Sequence, residues 1–379
     1  MARAWADVDL DAIEHNVQVL RRHVAPAQLC AVVKADGYGH GAVPTARAAL
    51  HAGADWLAVA QVPEAVVLRE AGIDAPLLVL SEPRPDELDT ALGLAARLTV
   101  YTPEMLGALA EAVRRNGRRV KLHLKVDTGM RRVGAAPDDV VALAKLVAEA
   151  PGLELEGMFT HFPVADEPGN PFTSRQIAAF DALVAELDDA GLRPPLLHAA
   201  NSAGAICVPA GHYNLVRAGI ALYGIPPAPV LSGRVPLRRA MRLVSEVSFV
   251  KDVLAGEGVS YGLRQRTRRD TVIATVPIGY ADGVARALPL VGAEVLVQGR
   301  RRSMIGVVTM DQLMVDCGPH AGVRPGDEVV LLGRQGDEEV TPDEWAAKLG
   351  TIAYEVVCAI GPRVERRHVR GGGEGTPSR

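Results

Sequence analysis

The feature that most constrains the fold is an alternation of short apolar runs with helical stretches between residues 26 and 224. The eight runs are rich in Val and Leu and read, in order, LCAVVK, DWLAVA, APLLVL, RLTVY, VKLHLKV, LELEGMFTH, LLHAAN and NLVRAGIALYG. Because they lack a clean apolar–polar alternation, they indicate strands buried on both faces, as in a parallel sheet. Eight β-α units in roughly 200 residues predict an α/β fold with a (β/α)8 barrel of the TIM type.

Capping signals mark individual helices. Thr102 can cap a helix whose first turn holds Pro103, so this pair predicts a helix start. A helix at about residues 11–23, beginning at Asp11, precedes the first barrel strand. The pair Thr341-Pro342 predicts a further helix that runs to about residue 349.

The pattern changes after the Pro-rich segment IPPAPV at residues 225–230. Later segments such as DTVIATVPIGY and QLMVDCG alternate between apolar and polar positions, which is typical of an antiparallel sheet. We therefore expect the barrel at residues 11–230 and a mainly antiparallel β C-terminal domain at residues 231–370. Residues 1–10 are expected to form a strand that joins the β-domain, and residues 371–379 a disordered tail.

Composition excludes several classes of protein. The 379-residue chain is 48% hydrophobic, yet no apolar stretch approaches the roughly 18 residues of a membrane span. A net charge of −4 with scattered arginines argues against a nucleic-acid partner. The N-terminus has no signal-peptide pattern, so a cytoplasmic protein is expected. Four widely separated cysteines predict neither a disulfide framework nor a metal site: Cys30, Cys207, Cys317 and Cys358.

Polar side chains follow the predicted barrel strands. In a barrel of this type the active site lies at the carboxyl ends of the strands. The residues at or just beyond these ends are Lys34, Lys125, Arg132, His161, Asn201, Ser202 and Arg217. One such residue is ordinary for a solvated strand end, but this many polar residues together predict an active site at the barrel mouth, centred on Lys34.

The last two strand ends carry signs of a phosphate site. This barrel fold often binds phosphate through the loops after strands seven and eight. Those loops contain the hydroxyl of Ser202 and the glycine at Gly219, which leaves backbone N–H groups open to an anion. An N-cap at Ser202 and a plain turn at Gly219 are the alternative.

A lysine, a phosphate anchor and a barrel mouth together predict pyridoxal phosphate held by Lys34 as a Schiff base. An aldolase-type lysine acting on a phosphorylated sugar would use the same parts. Arg217 favours the first reading, because an arginine against a pyridine nitrogen would leave that nitrogen unprotonated. The ring would then be a weaker electron sink with fewer side reactions.

Ten segments carry a family resemblance: WADVDLDAIEHN, VVKADGYGHG, KVDTGMRRVG, MFTHF, NSA at 201–203, VRAGIALYG, VSYG, IGYADG, VTMDQ and TIAYEVVC. Through them the chain, to about residue 368, resembles bacterial alanine racemases, pyridoxal-phosphate enzymes of fold type III. The resemblance implies an isomerase that interconverts L- and D-alanine and supplies D-alanine for peptidoglycan. It also implies a head-to-tail homodimer with shared active sites.

The resemblance implies roles for single residues. Lys34 would carry the cofactor and Arg217 would face its ring nitrogen. The remaining cofactor contacts would be Tyr38, Asn201, Ser202, Gly219, Ile220 and Tyr354. Tyr261 of the partner subunit would be the second base, while Lys125 matches a position that is often carbamylated.

Other matched residues would support the reacting groups. Arg132 would orient Tyr261 or the cofactor phenolic oxygen and contact substrate, and His161 would contact Tyr261. Met310 and Tyr280 would bound the substrate carboxylate site.

Racemisation explains why two bases are needed. A proton leaves one face of the α-carbon and another returns to the opposite face, most simply with one base on each side. Lys34 would serve one face and Tyr261 the other. Phenols ordinarily ionise only near about pH 10, so the Tyr261 phenolate would need stabilisation by Arg132 or His161.

Two positions depart from the family pattern. Arg131 stands where the family usually has glycine, and Thr309 where it often has cysteine. Other functions also remain open: a racemase of broader or different specificity, a decarboxylase on the same barrel, or a non-enzymatic pyridoxal-phosphate-binding protein. The last kind lacks the β-domain, so Tyr261 and Met310 favour an enzyme.

Overall fold

The computed structural model describes residues 3–371, which divide into two compact units. One unit holds residues 13–37 and 42–238, and the other holds residues up to 12, 38–41 and the chain from 239 onward. The predicted boundary at residue 230 therefore lies inside the first unit. The predicted tail falls, apart from residue 371, outside the described residues.

Hydrogen bonds explain why residues 231–238 stay with the first unit. The buried side chain of Asn16 accepts the backbone N–H of Arg238 at 2.7 Å and donates to its carbonyl at 2.8 Å. The ring of His15 bonds to the carbonyl of Pro236 at 2.8 Å. Both side chains belong to the first helix, so this helix holds the segment that follows the last barrel strand.

The first unit contains a parallel eight-stranded sheet in the order β8-β7-β6-β5-β4-β3-β2-β9. Its strands are β2 (Gln28–Val32), β3 (Trp56–Val59), β4 (Leu77–Val79), β5 (Arg97–Val100), β6 (Val120–Lys125), β7 (Leu153–Phe159), β8 (Leu196–His198) and β9 (Leu215–Ala218). Each strand lies in one of the eight apolar runs, except that β2 begins one residue before its run. A backbone bond of 3.1 Å from Asn214, just before β9, to Leu197 links the first and last strands of this order. The predicted TIM-type barrel is thus confirmed.

Helices alternate with these strands. They are α1 (Leu10–Val24), α2 (Lys34–Tyr38), α3 (Ala42–His51), α4 (Val62–Glu70), α5 (Leu88–Gly93), α6 (Pro103–Asn116), α7 (Val140–Glu149), α8 (Pro171–Asp189) and α9 (Ser202–Cys207). The hydroxyl of Thr102 caps α6 by accepting the N–H of Met105, as predicted. Between residues 3 and 371, no helix combines the length and the apolar character needed to cross a membrane.

The second unit is built on a ten-stranded sheet in the order β11-β14-β17-β16-β15-β18-β10-β1-β20, with β19 paired to β18. Its strands are β1 (Ala4–Asp9), β10 (Met241–Glu246), β11 (Phe249–Val253), β14 (Thr271–Val276), β15 (Glu294–Val297), β16 (Arg300–Ile305), β17 (Leu313–Asp316), β18 (Glu328–Gln335), β19 (Glu338–Val340) and β20 (Glu365–Val369). Every pair is antiparallel except β1 with β20. The predicted mainly antiparallel domain is confirmed.

Three smaller elements complete this unit. The strands β12 (Gly258–Val259) and β13 (Gln265–Arg266) form a separate two-stranded ribbon. The helix α10 (Pro342–Leu349) begins after Thr341, whose side chain accepts the N–H of Glu344 as an N-cap. The helix α11 (Ala353–Cys358) follows it.

Candidate active site

Lys34 lies just beyond β2 and begins the segment α2, which is a left-handed turn rather than a regular α-helix. The three residues after Lys34, Ala35, Asp36 and Gly37, have φ angles of 53°, 49° and 62°. This left-handed conformation costs a residue with a side chain about 1–2 kcal/mol. Two carboxylates hold it: Glu64 accepts the N–H of Ala35 at 2.6 Å, and Asp36 accepts a backbone N–H at the start of α3 at 2.8 Å. The turn therefore gives half-buried Lys34 a fixed origin at the carboxyl end of the first barrel strand.

The barrel mouth is rich in positive charge. Lys125, at the end of β6, is 6% exposed, and its Nζ lies 5.4 Å from the ring centre of Phe159. Burial, and then the charges of Arg217, Arg132 and Lys34, together lower the pKa of Lys125 to about 8. Because three cations lower the pKa of this one amine and Asp127 opposes them with a smaller effect, this mouth favours an anionic ligand.

Arg217 is the most firmly held of these cations. It is 3% exposed, and its Nη1 donates to Nδ1 of His198 at 2.7 Å. Its Nη2 donates to the carbonyls of Thr160 at 2.8 Å and Ala199 at 3.0 Å, and bonds to Nδ1 of His161 at 3.2 Å. Burial lowers the pKa of Arg217 to about 10, so the guanidinium remains charged at neutral pH.

His161 joins this cluster as a neutral ring. Burial, and then the charges of Arg217 and Lys125, hold the pKa of His161 well below its usual value. Its Nδ1 therefore accepts the bond from Arg217, while its carbonyl accepts a bond of 3.1 Å from Gln176. The structure thus brings His161 together with Arg217, a contact that the sequence did not predict.

The two loops of the predicted phosphate site also meet. The buried Ser202 accepts the backbone N–H of Gly219 at 2.8 Å and of Ala221 at 3.3 Å through its Oγ. Asn201, not Ser202, is the N-cap of α9, because its Oδ1 accepts the N–H of Gly204 at 3.0 Å. Ile220 is fully buried and begins a short 3-10 turn. Because the Oγ of Ser202 accepts the bonds from Gly219 and Ala221, the hydroxyl keeps its own proton as a donor for a phosphate.

The two tyrosines predicted near the phosphate pack together in the second unit. The ring centres of Tyr38 and Tyr354 lie 6.2 Å apart at an interplanar angle of 54°. The backbone beside Tyr38 approaches the backbone of α11 closely: a Cβ at Gly39 would lie 2.6 Å from the carbonyl oxygen of Val357. Glycine is therefore required beside Tyr38, and Arg366 further fixes this segment by donating to the Gly39 carbonyl at 3.0 Å.

The remaining predicted residues of the second unit are exposed. Tyr261, in the turn between β12 and β13, is 74% exposed, Met310 is 54% exposed and Tyr280 is 44% exposed. The loops of Tyr280 and Met310 are joined, since the N–H of Tyr280 donates to Thr309 at 3.0 Å and that of Ala281 to Met310 at 3.1 Å. Tyr280 and Met310 are thus neighbours, as a shared substrate contact requires.

The two departures from the family pattern have local explanations. Arg131 has a φ of 58°, where glycine is comfortable, and its N–H donates to Asp127 at 3.1 Å. Its guanidinium lies 3.5 Å from the same carboxylate, whereas neighbouring Arg132 is exposed. Thr309 closes its own loop, because its hydroxyl donates to the carbonyl of Gln312 at 2.9 Å.

Sequence reasoning missed three buried polar residues behind Arg217: His123, Glu156 and His198. A signal was present, since His123 lies two positions before Lys125 on β6 and so shares its face of the strand. His198 interrupts the apolar run of β8 in the same way.

The chain matches known proteins over nearly its whole length. Residues 8–227 match the family model of the alanine racemase N-terminal domain, and residues 240–368 that of the C-terminal domain. The alanine racemase of Symbiobacterium thermophilum is 49% identical over 366 residues, 97% of each chain. That of Thermobifida fusca is 46% identical over 367 residues, 96% of this chain and 97% of that one.

Solved structures agree. An alanine racemase from a D-cycloserine-producing Streptomyces lavendulae superposes with a TM-score of 0.92 at 40% identity, covering 99% of this chain and 98% of that one. A histidine racemase from Leuconostoc mesenteroides superposes with a TM-score of 0.88 at 29% identity, covering 97% and 98%. With both domains matched in order and relatives above 40% identity, the chain belongs to the alanine racemase family and is an isomerase.

Proposed function

We propose that this protein interconverts L-alanine and D-alanine with pyridoxal phosphate, with Lys34 serving one face of the substrate and Tyr261 of the partner subunit the other. The barrel mouth is the observation that carries the proposal. There the charges of Lys34 and Arg217 act on the buried amine of Lys125. A cationic mouth with a lysine at its rim suits an anionic aldehyde cofactor bound through that lysine.

The residues present fit such a cofactor. Lys34 would hold it through Nζ, and Ser202, Gly219 and Ile220 would contact its phosphate, joined by Asn201, Tyr38 and Tyr354. Arg217 would face the ring nitrogen, and since the guanidinium is protonated at neutral pH it can only donate there. When bound, pyridoxal phosphate withdraws electrons from an attached amino acid and so acidifies its α-proton.

Two bases would then move that proton. The Nζ of Lys34 would take or return it on one face of the α-carbon, and the Oη of Tyr261 of the partner subunit on the other. The 74% exposure of Tyr261 supports this division, because a surface phenol is available to a second chain. We propose a homodimer with shared active sites on this ground.

Other side chains would orient the reactants. Arg132 and His161 would position Tyr261, with Arg132 also reaching the substrate. Met310 and Tyr280 would bound the substrate carboxylate, and the backbone bonds between their loops support a common role.

Lys125 would carry a carbamate. A pKa of about 8 leaves an appreciable fraction of neutral amine at neutral pH, and only that form reacts with carbon dioxide. The resulting negative charge would lie among Lys34, Arg132 and Arg217, which it would stabilise. A native mass spectrum lacking the added carboxyl group would remove this assignment.

D-alanine made in this way would supply peptidoglycan synthesis, and we place the enzyme in the cytoplasm. The proposal rests on the substrate of the matched relatives, each described as an alanine racemase.

The proposal is tested by incubating the purified protein with pyridoxal phosphate and L-alanine in deuterated water. Optical rotation should fall to zero while the α-proton is replaced by deuterium. In Tyr261→Phe, racemisation should fall about 10²–10⁴-fold, whereas one enantiomer should still exchange its α-proton through Lys34.

Tyr213→Phe is the matched control, since it also removes one phenol, here bonded to Asp181 at 2.8 Å. It should racemise alanine at the original rate. Equal loss of exchange for both enantiomers in Tyr261→Phe would overturn the two-base proposal, and no turnover of alanine by the original protein would overturn the assignment of alanine as substrate.

A racemase for a larger or wider range of amino acids is the second candidate. The likeness to a protein described as a histidine racemase favours it. Parallel assays with L-alanine, L-serine and L-histidine distinguish the two, because the alanine assignment requires the highest kcat/KM for alanine.

A further inference from the structure

Arg217 is a buried cation without a directly bonded carboxylate. Within the described residues, its hydrogen-bond partners are two backbone carbonyls and the rings of His198 and His161. Cys30, its neighbour across β2 and β9, offers no negative charge, since burial raises the pKa of that thiol to about 12. A buried charge without compensation is costly, so something further away has to stabilise it.

A chain of hydrogen bonds leads from Arg217 to such a group. Nε2 of His198 lies 2.8 Å from Nδ1 of His123, and Nε2 of His123 lies 3.3 Å from Oε2 of Glu156. The chain passes through four neighbouring barrel strands, β9, β8, β6 and β7. Both histidines are fully buried.

The donor and the acceptor of each hydrogen bond can be assigned from the two groups at the ends of the chain, Arg217 and Glu156. Arginine can only donate, so Nδ1 of His198 accepts and its proton must be on Nε2. That Nε2 donates to Nδ1 of His123, which places the His123 proton on Nε2 as well. The ionised carboxylate of Glu156 accepts the last bond. Both histidines are therefore fixed as neutral Nε2–H tautomers.

We infer that the two buried histidines and Glu156 are positioning residues for Arg217, a one-way donor chain that fixes the guanidinium and links its charge to a carboxylate. The inference rests on the proposed function, in which Arg217 faces the cofactor ring nitrogen. A histidine with the other tautomer would remove the acceptor from Nη1 and free the guanidinium to turn.

The two histidines of this hydrogen-bond chain stay neutral, and Glu156 at its end stays ionised. Burial lowers the pKa of His198 and of His123, with Arg217 contributing in the same direction, so both rings stay neutral. Burial alone would raise the pKa of Glu156, but bonds from His123, Lys121 and Arg97 together bring it to about 2.

The packing around the two histidine rings accommodates this chain of hydrogen bonds. A Cβ at Gly157 on β7 would lie 2.5 Å from Nδ1 of His123, the atom that accepts the central bond. Gly157 has no left-handed φ that would itself demand glycine. The ring of Phe159 stacks on His198 at 4.6 Å and an angle of 6°, holding that imidazole in plane. Glycine at 157 is thus explained by the space that the His123 ring needs.

The first test reads the tautomers directly. In protein labelled with ¹⁵N-histidine, with signals assigned through single His→Asn variants, His123 and His198 should both be Nε2–H tautomers from about pH 6 to pH 9. We expect the same tautomers in the protein with and without bound cofactor. An Nδ1–H tautomer or an imidazolium at either position would overturn the donor chain, whether or not the protein racemises alanine.

The second test uses variants of the holoenzyme. Glu156→Gln removes the terminal charge, and Gly157→Ala displaces the His123 ring without removing a polar group. Each should lower kcat for alanine about 10-fold with KM within about 2-fold, and shift the visible absorption band of the bound cofactor.

Glu154→Gln is the matched control, because Glu154 lies on the same strand, is exposed and forms a surface ion pair with Lys121 at 3.6 Å. It should change neither kcat nor the spectrum. If Glu156→Gln and Gly157→Ala match this control, the positioning role is wrong. If the original protein does not racemise alanine, the proposed function fails while the tautomer measurement still decides the donor chain.

Discussion

The two units organise their candidate site residues in opposite ways. In the barrel unit, Lys125, Arg217 and Ser202 are each less than a tenth exposed. In the β-rich unit, Tyr261 and Met310 are more than half exposed. Burial fixes a side chain through packing and obligatory hydrogen bonds, whereas an exposed side chain must be positioned by the backbone that carries it.

Backbone bonds and surface ion pairs do this work in the β-rich unit. Arg363 bridges Asp282 at 3.1 Å and Asp311 at 2.8 Å, joining the loops that carry Tyr280 and Met310. Buried polar residues contribute to stability, while exposed ones contribute little. We therefore expect changes at the buried residues of the barrel site to cost both activity and stability, and changes at the exposed site residues of the β-rich unit to cost activity alone.

The largest effect is expected for Lys34→Ala. Loss of the amine removes both the covalent attachment of the cofactor and one base, so racemisation should fall at least about 10³-fold. Lys145→Ala, which removes an exposed lysine of α7, is the control and should leave the rate unchanged. Steady-state rates with L-alanine measure both, and a Lys34→Ala variant within tenfold of the original would contradict the assigned role.

Glu156 should make the barrel unit sensitive to acid. Its folded pKa of about 2 lies below the ordinary value of 4.5, so the stabilisation is present above about pH 4.5 and lost as the pH falls towards 2. One pKa unit corresponds to about 1.4 kcal/mol, and because Lys121 is half-exposed we expect about 2 kcal/mol in total.

Urea unfolding at neutral and acid pH measures this loss. Glu156→Gln should be less stable at neutral pH and should lose less stability on acidification, whereas exposed Glu154→Gln should behave like the original protein. Identical pH profiles for Glu156→Gln and the original protein would show that Glu156 is not the acid-sensitive group.

In the β-rich unit the contrasting prediction concerns Arg363. Arg363→Ala should raise KM for alanine about 5-fold by loosening the loops of Tyr280 and Met310, with little change in the free energy of unfolding because Arg363 and Asp311 are exposed. Arg367→Ala, which breaks a surface pair with Glu365 at 3.0 Å, is the control. A large stability loss with unchanged KM would reverse the contrast between the units.

Local pattern predicts much of this molecule. The eight barrel strands, the change to antiparallel strands and the caps at Thr102 and Thr341 all depend on neighbouring residues, and all are confirmed. The left-handed turn after Lys34 is different, because Ala35 and Asp36 are held there by distant groups such as Glu64.

The buried hydrogen-bond chain behind Arg217 could not be predicted from the sequence for the same reason. His123 and His198 are 75 positions apart, and nothing in either strand alone says that the rings will meet. Similarly, Asn201 and Ser202 are both able to cap α9, and the structure assigns the cap to Asn201 because the Ser202 hydroxyl is used by Gly219. Contacts between residues far apart in the sequence therefore determine how these side chains are hydrogen-bonded.

The smallest expected effect is at Arg131, an exposed residue of the barrel unit. Arg131→Gly relieves a left-handed φ worth about 1 kcal/mol, but loses a surface ion pair with Asp127 and gains unfolded-state entropy, each worth up to about 1 kcal/mol. The terms oppose one another, so unfolding free energy should change by less than about 1 kcal/mol. Arg132→Gly should change stability as little, yet lower kcat/KM for alanine. If Arg131→Gly lowers kcat/KM as much as Arg132→Gly, exposed residues at the barrel mouth are functionally equivalent and burial is not what separates the two kinds of site.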